Sequence, residues 1–332
     1  MNLTTMTKEA ELVVDTCLSV KKAERVTVAT DSVRRVEAEI LASVCHARGA
    51  EILVVDLTPY VVPISKGRYV DPPENFKTLM KNSNLTIIVT SQEYSQRFSH
   101  KIHYFLNQTP ECSVYQIDEE MGAWDFSLED VEDIMAKGRK IMDFMKGKKS
   151  VRVTSPNGTD ISFSIEGREC MPGLPVMPRP GMQAACPIPL WGELNWAPIE
   201  NRSQGHAVID GILMRWGSES AVSQPVEWNV KDGRIVEIRG GEEATQFRKT
   251  LESADPNAYI IGELGIGASP RAKLGTMQEK GRIGTVHLGV GSNKGVYPGG
   301  TNVSKIHGDG SIRDVSIEVD GTRIIQGEKI LL

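Results

Sequence analysis

Glycine is distributed very unevenly along this chain of 332 residues. Of the 31 glycines, 5 lie in residues 1–150 and 26 lie in residues 151–332. Glycine permits tight turns and close backbone approach, and it weakens the interior of a helix, so its local abundance constrains the fold. The chain is therefore expected to contain two domains of ordinary size that are built on different plans, with the change near residue 150.

The Gly-poor half alternates between helical and strand patterns. This alternation predicts a parallel sheet covered by helices on both faces, so we predict an α/β scaffold domain over residues 1–149. After the first strand the chain reads Thr30-Asp31-Ser32-Val33, which lacks a glycine-rich phosphate motif, so no nicotinamide or ATP site is expected. The predicted helices cover residues 8–23, 32–48, 72–81, a segment from about 96, and 128–146; the predicted strands cover 25–29, 51–55, 85–89 and 113–116.

The Gly-rich half consists of short strands joined by turns. Asn157-Gly158, Asp232-Gly233 and Asp320-Gly321 each lie between two strand-like runs, which is the pattern of a β-hairpin. One clear helix is predicted over residues 242–252. The fold class predicted for the whole chain is therefore α/β plus α+β, in which the parallel-sheet domain is followed by a mainly antiparallel β domain over residues 150–332.

The composition argues against nucleic-acid and membrane partners. The formal net charge is -5, and no cluster of basic residues marks a nucleic-acid-binding face. No apolar run is long enough for a transmembrane helix, and residues 1–10 lack the apolar core of a signal peptide. The 5 cysteines are odd in number and form no CxxC motif, so we expect a cytoplasmic protein.

The Gly-rich half also holds five polar residues in positions that suggest metal binding. His307 and Asp309 are two positions apart, so in an extended segment both side chains point to the same side, as two metal ligands would. His287, Glu263 and Glu193 each lie within an apolar run next to glycines. A buried carboxylate is costly unless it is paired or coordinated. Together these residues predict a site for one or two metal ions.

The order of these motifs resembles the thermophilic metallo-aminopeptidase family, which includes aminopeptidases T and S. The resemblance covers about residues 190–315 and is weaker in the N-terminal half. The segment Gly192-Glu193-Leu194-Asn195-Trp196-Ala197-Pro198 is similar to the family's GEVFTAP stretch, and Gly262-Glu263-Leu264-Gly265 is similar to its GEVAL segment. Glu279-Lys280 followed by Gly284-Thr285-Val286-His287-Leu288 is similar to its HLALG segment, and His307-x-Asp309 is similar to its closing H-x-D pair.

This resemblance implies a dinuclear zinc or cobalt site with Glu193, Glu263, His287, His307 and Asp309 as ligands. It also implies that Glu193 and Glu263 are catalytic carboxylates that bridge the metals or transfer a proton. The implied activity is that of a metal-dependent hydrolase of aminopeptidase type, which releases N-terminal residues from short peptides or hydrolyses a related small amide. A homodimer is implied as well.

One position departs from the aminopeptidase pattern. Those enzymes carry a tyrosine where this chain has Lys294, and Tyr297 lies nearby in a different register. Ser292, Asn293 and Tyr297 are the substrate-binding residues that we predict around this position. Because a fold does not fix function, a binding protein without catalytic activity also stays open as an interpretation.

A second branch of the same fold provides an alternative function. The iron(II) enzymes that cleave 2,5-dihydroxypyridine carry a histidine at the position of Glu263 and a serine near Ser292, and they keep the H-x-D pair. On this resemblance, His287, His307 and Asp309 form a facial triad of two histidines and one carboxylate. The alternative is thus a mononuclear non-haem Fe(II) ring-cleaving dioxygenase that acts on a hydroxypyridine-like small aromatic.

Overall fold

The computed structural model describes residues 2–60, 73–91, 112–117, 120–122, 124, 127–176, 179, 183–184, 192–213 and 220–332. The predicted helix that begins near residue 96 lies outside these residues. The chain divides into two compact units, Met1–Glu132 with Gly173–Leu190, and Asp133–Pro172 with Trp191–Leu332. Each unit is discontinuous in sequence, and the predicted domain boundary between residues 149 and 150 stays a prediction.

The helices and strands of the described residues are numbered here in chain order. The helices are α1 (Leu3–Leu12), α2 (Arg35–Ala47), α3 (Glu74–Lys81), α4 (Leu128–Met145) and α5 (Glu242–Ala254). The strands are β1 (Arg25–Thr30), β2 (Glu51–Asp56), β3 (Leu85–Val89), β4 (Ser113–Ile117), β5 (Ser150–Thr154), β6 (Asp160–Ser164), β7 (Met171–Gly173), β8 (Gln183–Ala184), β9 (Glu193–Trp196), β10 (Gln204–Ile209), β11 (Val226–Lys231), β12 (Arg234–Arg239), β13 (Ile261–Gly267), β14 (Val286–Gly291), β15 (His307–Ile312), β16 (Ser316–Val319), β17 (Thr322–Gln326) and β18 (Lys329–Ile330).

The first unit contains a parallel sheet in the order β2-β1-β3-β4-β8. The apolar runs of β1 and β3 are buried along almost their whole length, as expected of central strands with helices on both faces. Phe76 and Met80 of α3 belong to the same buried apolar cluster as Ile88 of β3 and Val114 of β4. The parallel sheet predicted from the alternating sequence pattern is therefore confirmed.

The N-terminal helix begins and ends earlier than predicted. The side chain of Asn2 accepts a hydrogen bond from the backbone N–H of Thr5, which caps α1 at its first turn. The helix continues as a π-helical turn over Val13–Cys17. It stops before Ser19, whose φ of 47° is left-handed and incompatible with a continuing α-helix.

The second unit, as far as it is described, contains two mainly antiparallel sheets. The larger has the order β12-β11-β10-β6-β5-β16-β17-β18, and the smaller has the order β15-β14-β13-β9-β7. The three predicted hairpins are present as β5–β6, β11–β12 and β16–β17. The helix predicted over residues 242–252 is α5, whose Phe247 stacks on Trp228 of β11 with ring centroids 5.1 Å apart.

The smaller sheet has two faces of different character, because side chains alternate along each strand. Leu194, Leu264 and Leu288 are fully buried on one face. Gly310 lies on the same face, and a Cβ atom there would lie 2.9 Å from the ring of Trp228, so the larger sheet approaches closely. The opposite face carries most of the polar residues singled out in the sequence.

The architecture agrees with the predicted fold class: a parallel α/β unit is accompanied by a unit of antiparallel sheets. Within the described residues, no helix combines the length and the apolar character that a membrane span requires.

Candidate metal centre

The five predicted metal ligands gather on one face of the smaller sheet. They lie on four adjacent strands, β9, β13, β14 and β15, and each of them is buried or nearly so. Each ligand is also paired in register with a glycine on the neighbouring strand: Glu193 with Gly267, Glu263 with Gly289, His287 with Gly265, His307 with Gly291, and Asp309 with Gly289.

Two of these glycines leave space that the site needs. A Cβ atom at Gly265 would lie 1.9 Å from Cε1 of His287, which is far closer than van der Waals contact allows. A Cβ atom at Gly289 would lie 2.6 Å from Oε2 of Glu263 and 2.8 Å from Cε1 of His307. The abundance of glycine in this half therefore has a local cause, since the ligand side chains lie over the glycines of neighbouring strands.

Glu263, His307 and Asp309 form the tightest group of possible ligands, with one atom from each lying within 4.8 Å of the others. Nε2 of His307 lies 2.9 Å from both Oε2 of Glu263 and Oδ1 of Asp309. Within the part of the chain that the structure describes, neither of these two buried oxygen atoms has a partner in hydrogen-bond geometry. A divalent cation would satisfy two carboxylate oxygens and an imidazole nitrogen at once, so these residues fit a metal ion.

Backbone carbonyls fix the orientation of both histidines. Nδ1 of His307 lies 3.0 Å from the carbonyl oxygen of Ser292, and Nδ1 of His287 lies 3.3 Å from that of Lys280. A carbonyl oxygen can only accept, so Nδ1 of each ring donates to it, and Nε2 is the ring atom that faces the carboxylates. This is the usual arrangement of histidines that bind metals.

Charge at the site is balanced mainly by Lys280, whose Nζ lies 3.0 Å from Oδ2 of Asp309. Burial raises the pKa of the Asp309 carboxyl, but the charges of Lys280 and His307 outweigh burial, so this pKa lies well below its usual value. Burial opposes ionisation of Glu263 too, but the nearby histidines lower its pKa. Burial lowers the pKa of His307, whereas Asp309 and Glu263 raise it, with a net rise to about 10.

The facial triad predicted from His287, His307 and Asp309 differs from the group that the structure brings together. Nε2 of His287 lies 3.0 Å from Oε1 of Glu263 and 3.9 Å from Oε2 of Glu193. Glu263 therefore stands between the two histidines and takes the place of His287 in the tight group. The cause is the register of β13, which shifts between Ile261 and Glu263 and places Glu263 opposite Gly289.

The three predicted substrate-binding residues have different surroundings. Tyr297 is buried against His307, with ring centroids 5.9 Å apart, and burial together with Glu263 and Asp309 raises the pKa of its hydroxyl. Ser292 supplies the carbonyl that orients His307. The amide of Asn293 donates to Glu200 and to the carbonyl of Gly262, and it accepts from the backbone of Asn302. The substrate-binding roles of these residues stay predictions.

Two further polar residues at the site received no role from the sequence. Lys280 lies on the short 3-10 helix Met277–Gly281, and no sequence spacing connects it to Asp309. Asn195 lies on β9 two positions after Glu193, so both side chains are on the same face. This i, i+2 spacing could have placed Asn195 beside Glu193 from the sequence alone. It indicates a role at the site only once β9 is known to lie next to the strands that carry the metal group.

Comparisons with known proteins agree with this fold. The family model described as 2,5-dihydroxypyridine 5,6-dioxygenase matches residues 5–331. Among solved structures, the 2,5-dihydroxypyridine dioxygenase of Pseudomonas putida is similar, with a TM-score of 0.81 and 18% identity over 100% of this chain and 98% of that one. Wild-type AmpT of Thermus thermophilus is also similar, with a TM-score of 0.71 and 14% identity over 99% of this chain and 100% of that one. No curated protein matches the chain in sequence.

Proposed function

We propose that this chain, which belongs to the 2,5-dihydroxypyridine 5,6-dioxygenase family, is a metal-dependent dioxygenase. It opens the ring of a hydroxypyridine-like small aromatic. The family match supports this function better than the aminopeptidase-type hydrolase that the sequence favoured. The observation that carries the proposal is the group of Glu263, His307 and Asp309, which is the one group of three such ligands within the described residues.

Fe(II) is the metal proposed for this group. Glu263, His307 and Asp309 would hold the ion, and their two carboxylates would neutralise its charge. When bound, Fe(II) supplies the one-electron chemistry that allows dioxygen to react with an organic ring. The chain departs from a site with two histidines and one carboxylate, because Glu263 contributes an oxygen in place of the second imidazole.

The surrounding residues of the chain position these ligands. His287 lies beside Oε1 of Glu263, which directs Oε2 towards His307. Lys280 holds Oδ2 of Asp309, so Oδ1 is the atom that remains for the metal. Tyr297 covers the ring of His307 and excludes water on that side. Buried, preoriented ligands of this kind reduce the reorganisation that a reaction requires.

The proposed reaction breaks the ring bond between carbons 5 and 6, as the family description states. Both atoms of dioxygen enter the product, one at each carbon of the broken bond. Carbon 5, which carries a hydroxyl group, becomes a carboxyl carbon, and carbon 6 becomes a formyl carbon attached to the nitrogen. No other oxidant or reductant is needed, because dioxygen accepts the four electrons that the substrate loses.

Oxygen uptake tests this proposal. The purified protein is loaded anaerobically with Fe(II), Zn(II) or Co(II), and 2,5-dihydroxypyridine and air are then supplied. We expect oxygen consumption with Fe(II) alone, together with loss of the ring's ultraviolet absorbance, and neither in Asp309→Asn. Fe(II)-loaded protein that consumes no oxygen with any dihydroxypyridine would overturn the proposal.

An aminopeptidase-type hydrolase is the second candidate, and it rests on the carboxylate of Glu193. Nε2 of His287 lies 3.0 Å from Oε1 of Glu263 and 3.9 Å from Oε2 of Glu193. The ligands of a second metal ion would be drawn from these side chains, which are less tightly grouped than Glu263, His307 and Asp309. This candidate predicts two zinc or cobalt ions per chain and hydrolysis of aminoacyl anilides. One metal ion per chain, with every anilide left intact, would exclude it.

A further inference from the structure

Asn195 is a buried side chain whose polar atoms have no partner among the described residues. The residue is 1% exposed, and neither Oδ1 nor Nδ2 has a hydrogen bond within that part of the chain. Another buried amide in the same unit is satisfied, since Asn302 donates from Nδ2 to the carbonyls of Asn257 and Gly291. An unsatisfied buried amide costs stability, and in native proteins it calls for an explanation such as a ligand.

The sheet register places Asn195 next to the metal group. It is paired with Gly265, which has no side chain and over which the ring of His287 lies. Directly opposite side chains in an antiparallel pair have Cβ atoms about 5 Å apart, and diagonal neighbours remain within reach of a long group. Asn195 is such a diagonal neighbour of Glu263, because Gly265 is two positions along β13. A ligand held by the Glu263, His307 and Asp309 group would therefore lie on the same face of the sheet as the amide, and the strand of Glu263 is adjacent to that of Asn195.

We propose that Asn195 recognises the cyclic amide edge of the substrate, so that the enzyme selects hydroxypyridones over carbocyclic phenols. This inference rests on the proposed dioxygenase function and names the chemical group of the substrate, the cyclic amide, that the site recognises. In its pyridone form, 2,5-dihydroxypyridine carries a ring N–H next to a C=O group. Oδ1 of Asn195 accepts from that N–H, and Nδ2 donates to that carbonyl, so both unsatisfied atoms gain partners.

The positions of the two ring oxygens agree with this arrangement. They lie at opposite ends of the ring, so the oxygen on carbon 5 can face the metal group while the cyclic amide faces Asn195. A neutral carboxamide suits a neutral lactam, whereas a carboxylate substrate would require a cation. The cation identified at this site, Lys280, is paired with Asp309.

Binding measured without turnover tests the proposal. Fe(II)-loaded protein is titrated calorimetrically under anaerobic conditions with 2,5-dihydroxypyridine and with hydroquinone, which has the same two oxygens but no ring nitrogen. We expect wild type to bind the pyridine at least about tenfold more tightly than hydroquinone, because a site built for a hydrogen bond rejects an analogue that lacks it. Asn195→Leu should abolish this preference, and its affinity for hydroquinone should stay within about threefold of wild type.

Stability separates a binding role from a structural role. Because the amide of Asn195 has no partner among the described residues, Asn195→Leu should keep or raise the melting temperature of the metal-loaded protein. The matched control Asn302→Leu removes two hydrogen bonds from a buried amide and should lower it. A lower melting temperature for Asn195→Leu, or an unchanged preference for the pyridine, would overturn the proposal.

The outcomes for recognition and for catalysis are distinguishable. Oxygen uptake combined with an unchanged ligand preference in Asn195→Leu would refute the role of Asn195 and leave the dioxygenase function intact. Preference for the pyridine that depends on Asn195, without oxygen uptake, would refute the dioxygenase and support recognition of the lactam. If 2,5-dihydroxypyridine does not bind at all, both are refuted.

Discussion

The imidazole ring of His287 occupies the space into which any residue larger than glycine at position 265 would direct its side chain. The two residues are paired across β13 and β14, and the ring lies over the bare backbone of Gly265. The backbone of Gly265 is not left-handed, so alanine there is disfavoured by the ring and not by the main chain. This pair therefore links the glycine content of the unit to the geometry of the metal centre.

Gly265→Ala is expected to displace His287 and loosen Glu263. We expect a loss of about 1–3 kcal/mol in the free energy of unfolding, which is typical of an overpacked core. In a His287→Ala background the obstructing ring is absent, so adding Gly265→Ala should cost much less. Denaturant unfolding of the two single variants and the double variant measures this coupling. Additive losses would show that the ring is not what forbids a side chain at position 265.

Removing a ligand from the tight group is expected to abolish metal binding. His307→Ala and Asp309→Ala should each weaken binding of Fe(II) or Zn(II) by at least about 100-fold, because even residues that only orient ligands typically contribute 10–100-fold. His206→Ala is the matched control, since His206 lies half-exposed on β10, outside the smaller sheet. Elemental analysis after dialysis measures the bound metal. Retention of a full metal equivalent by His307→Ala would place the site elsewhere.

The ion pair between Lys280 and Asp309 is expected to matter most in the metal-free protein. Lys280→Met leaves a buried carboxylate without its cation, and breaking such a pair costs about 3–5 kcal/mol. A bound metal ion also neutralises the charge of Asp309, so Lys280→Met should lower the free energy of unfolding by less in the metal-loaded protein. Lys149→Met is the control, because the pair of Lys149 with Glu166 is exposed and screened by solvent, so its loss should change stability very little. Equal losses in the two Lys variants would contradict this interpretation.

The stability of the metal-free protein is expected to depend on pH through His307. Its pKa is raised from 6.5 to about 10 in the folded chain, so the fold binds more protons than the unfolded chain between these values. This contribution is therefore fully present below pH 6.5 and is lost as the pH rises towards about 10. The lowered pKa values of Glu263 and Asp309 act in the opposite sense, and their contribution is lost in acid.

Thermal unfolding of the chelator-treated protein from pH 6.5 to pH 10 measures the dependence that His307 contributes. His307→Gln should flatten this part of the profile, because glutamine does not titrate. The metal-loaded protein should not show this decline in stability with rising pH, since a coordinated imidazole is already neutral. An unchanged slope in His307→Gln would show that another group controls stability in this range.

Local patterns predicted much of the fold. Strand and helix alternation indicated the parallel sheet, and the Asn157-Gly158, Asp232-Gly233 and Asp320-Gly321 turns indicated the three hairpins, because turn chemistry acts over a few residues. The short strand β8, which joins the parallel sheet beside β4, was not predicted. Two residues give too little pattern to indicate a strand, and their pairing depends on tertiary contacts.

The site was predicted in part from buried polar residues next to glycines. Glu263, His307 and Asp309 were all among the predicted ligands. Which of the five ligands lie closest together was not predictable, because this depends on the register of β13 against β14. Lys280 was missed for a similar reason: it reaches Asp309 from a separate 3-10 helix. The homodimer and the cytoplasmic location expected from the sequence remain predictions.

Isotope labelling tests the central claim most directly. Fe(II)-loaded protein is given 2,5-dihydroxypyridine under oxygen-18 gas, and the product is analysed by mass spectrometry. The account predicts a ring-opened product that carries both labelled oxygen atoms. A product that gains its oxygen from water, as hydrolysis requires, or an intact ring after incubation with Fe(II) and oxygen, would contradict it.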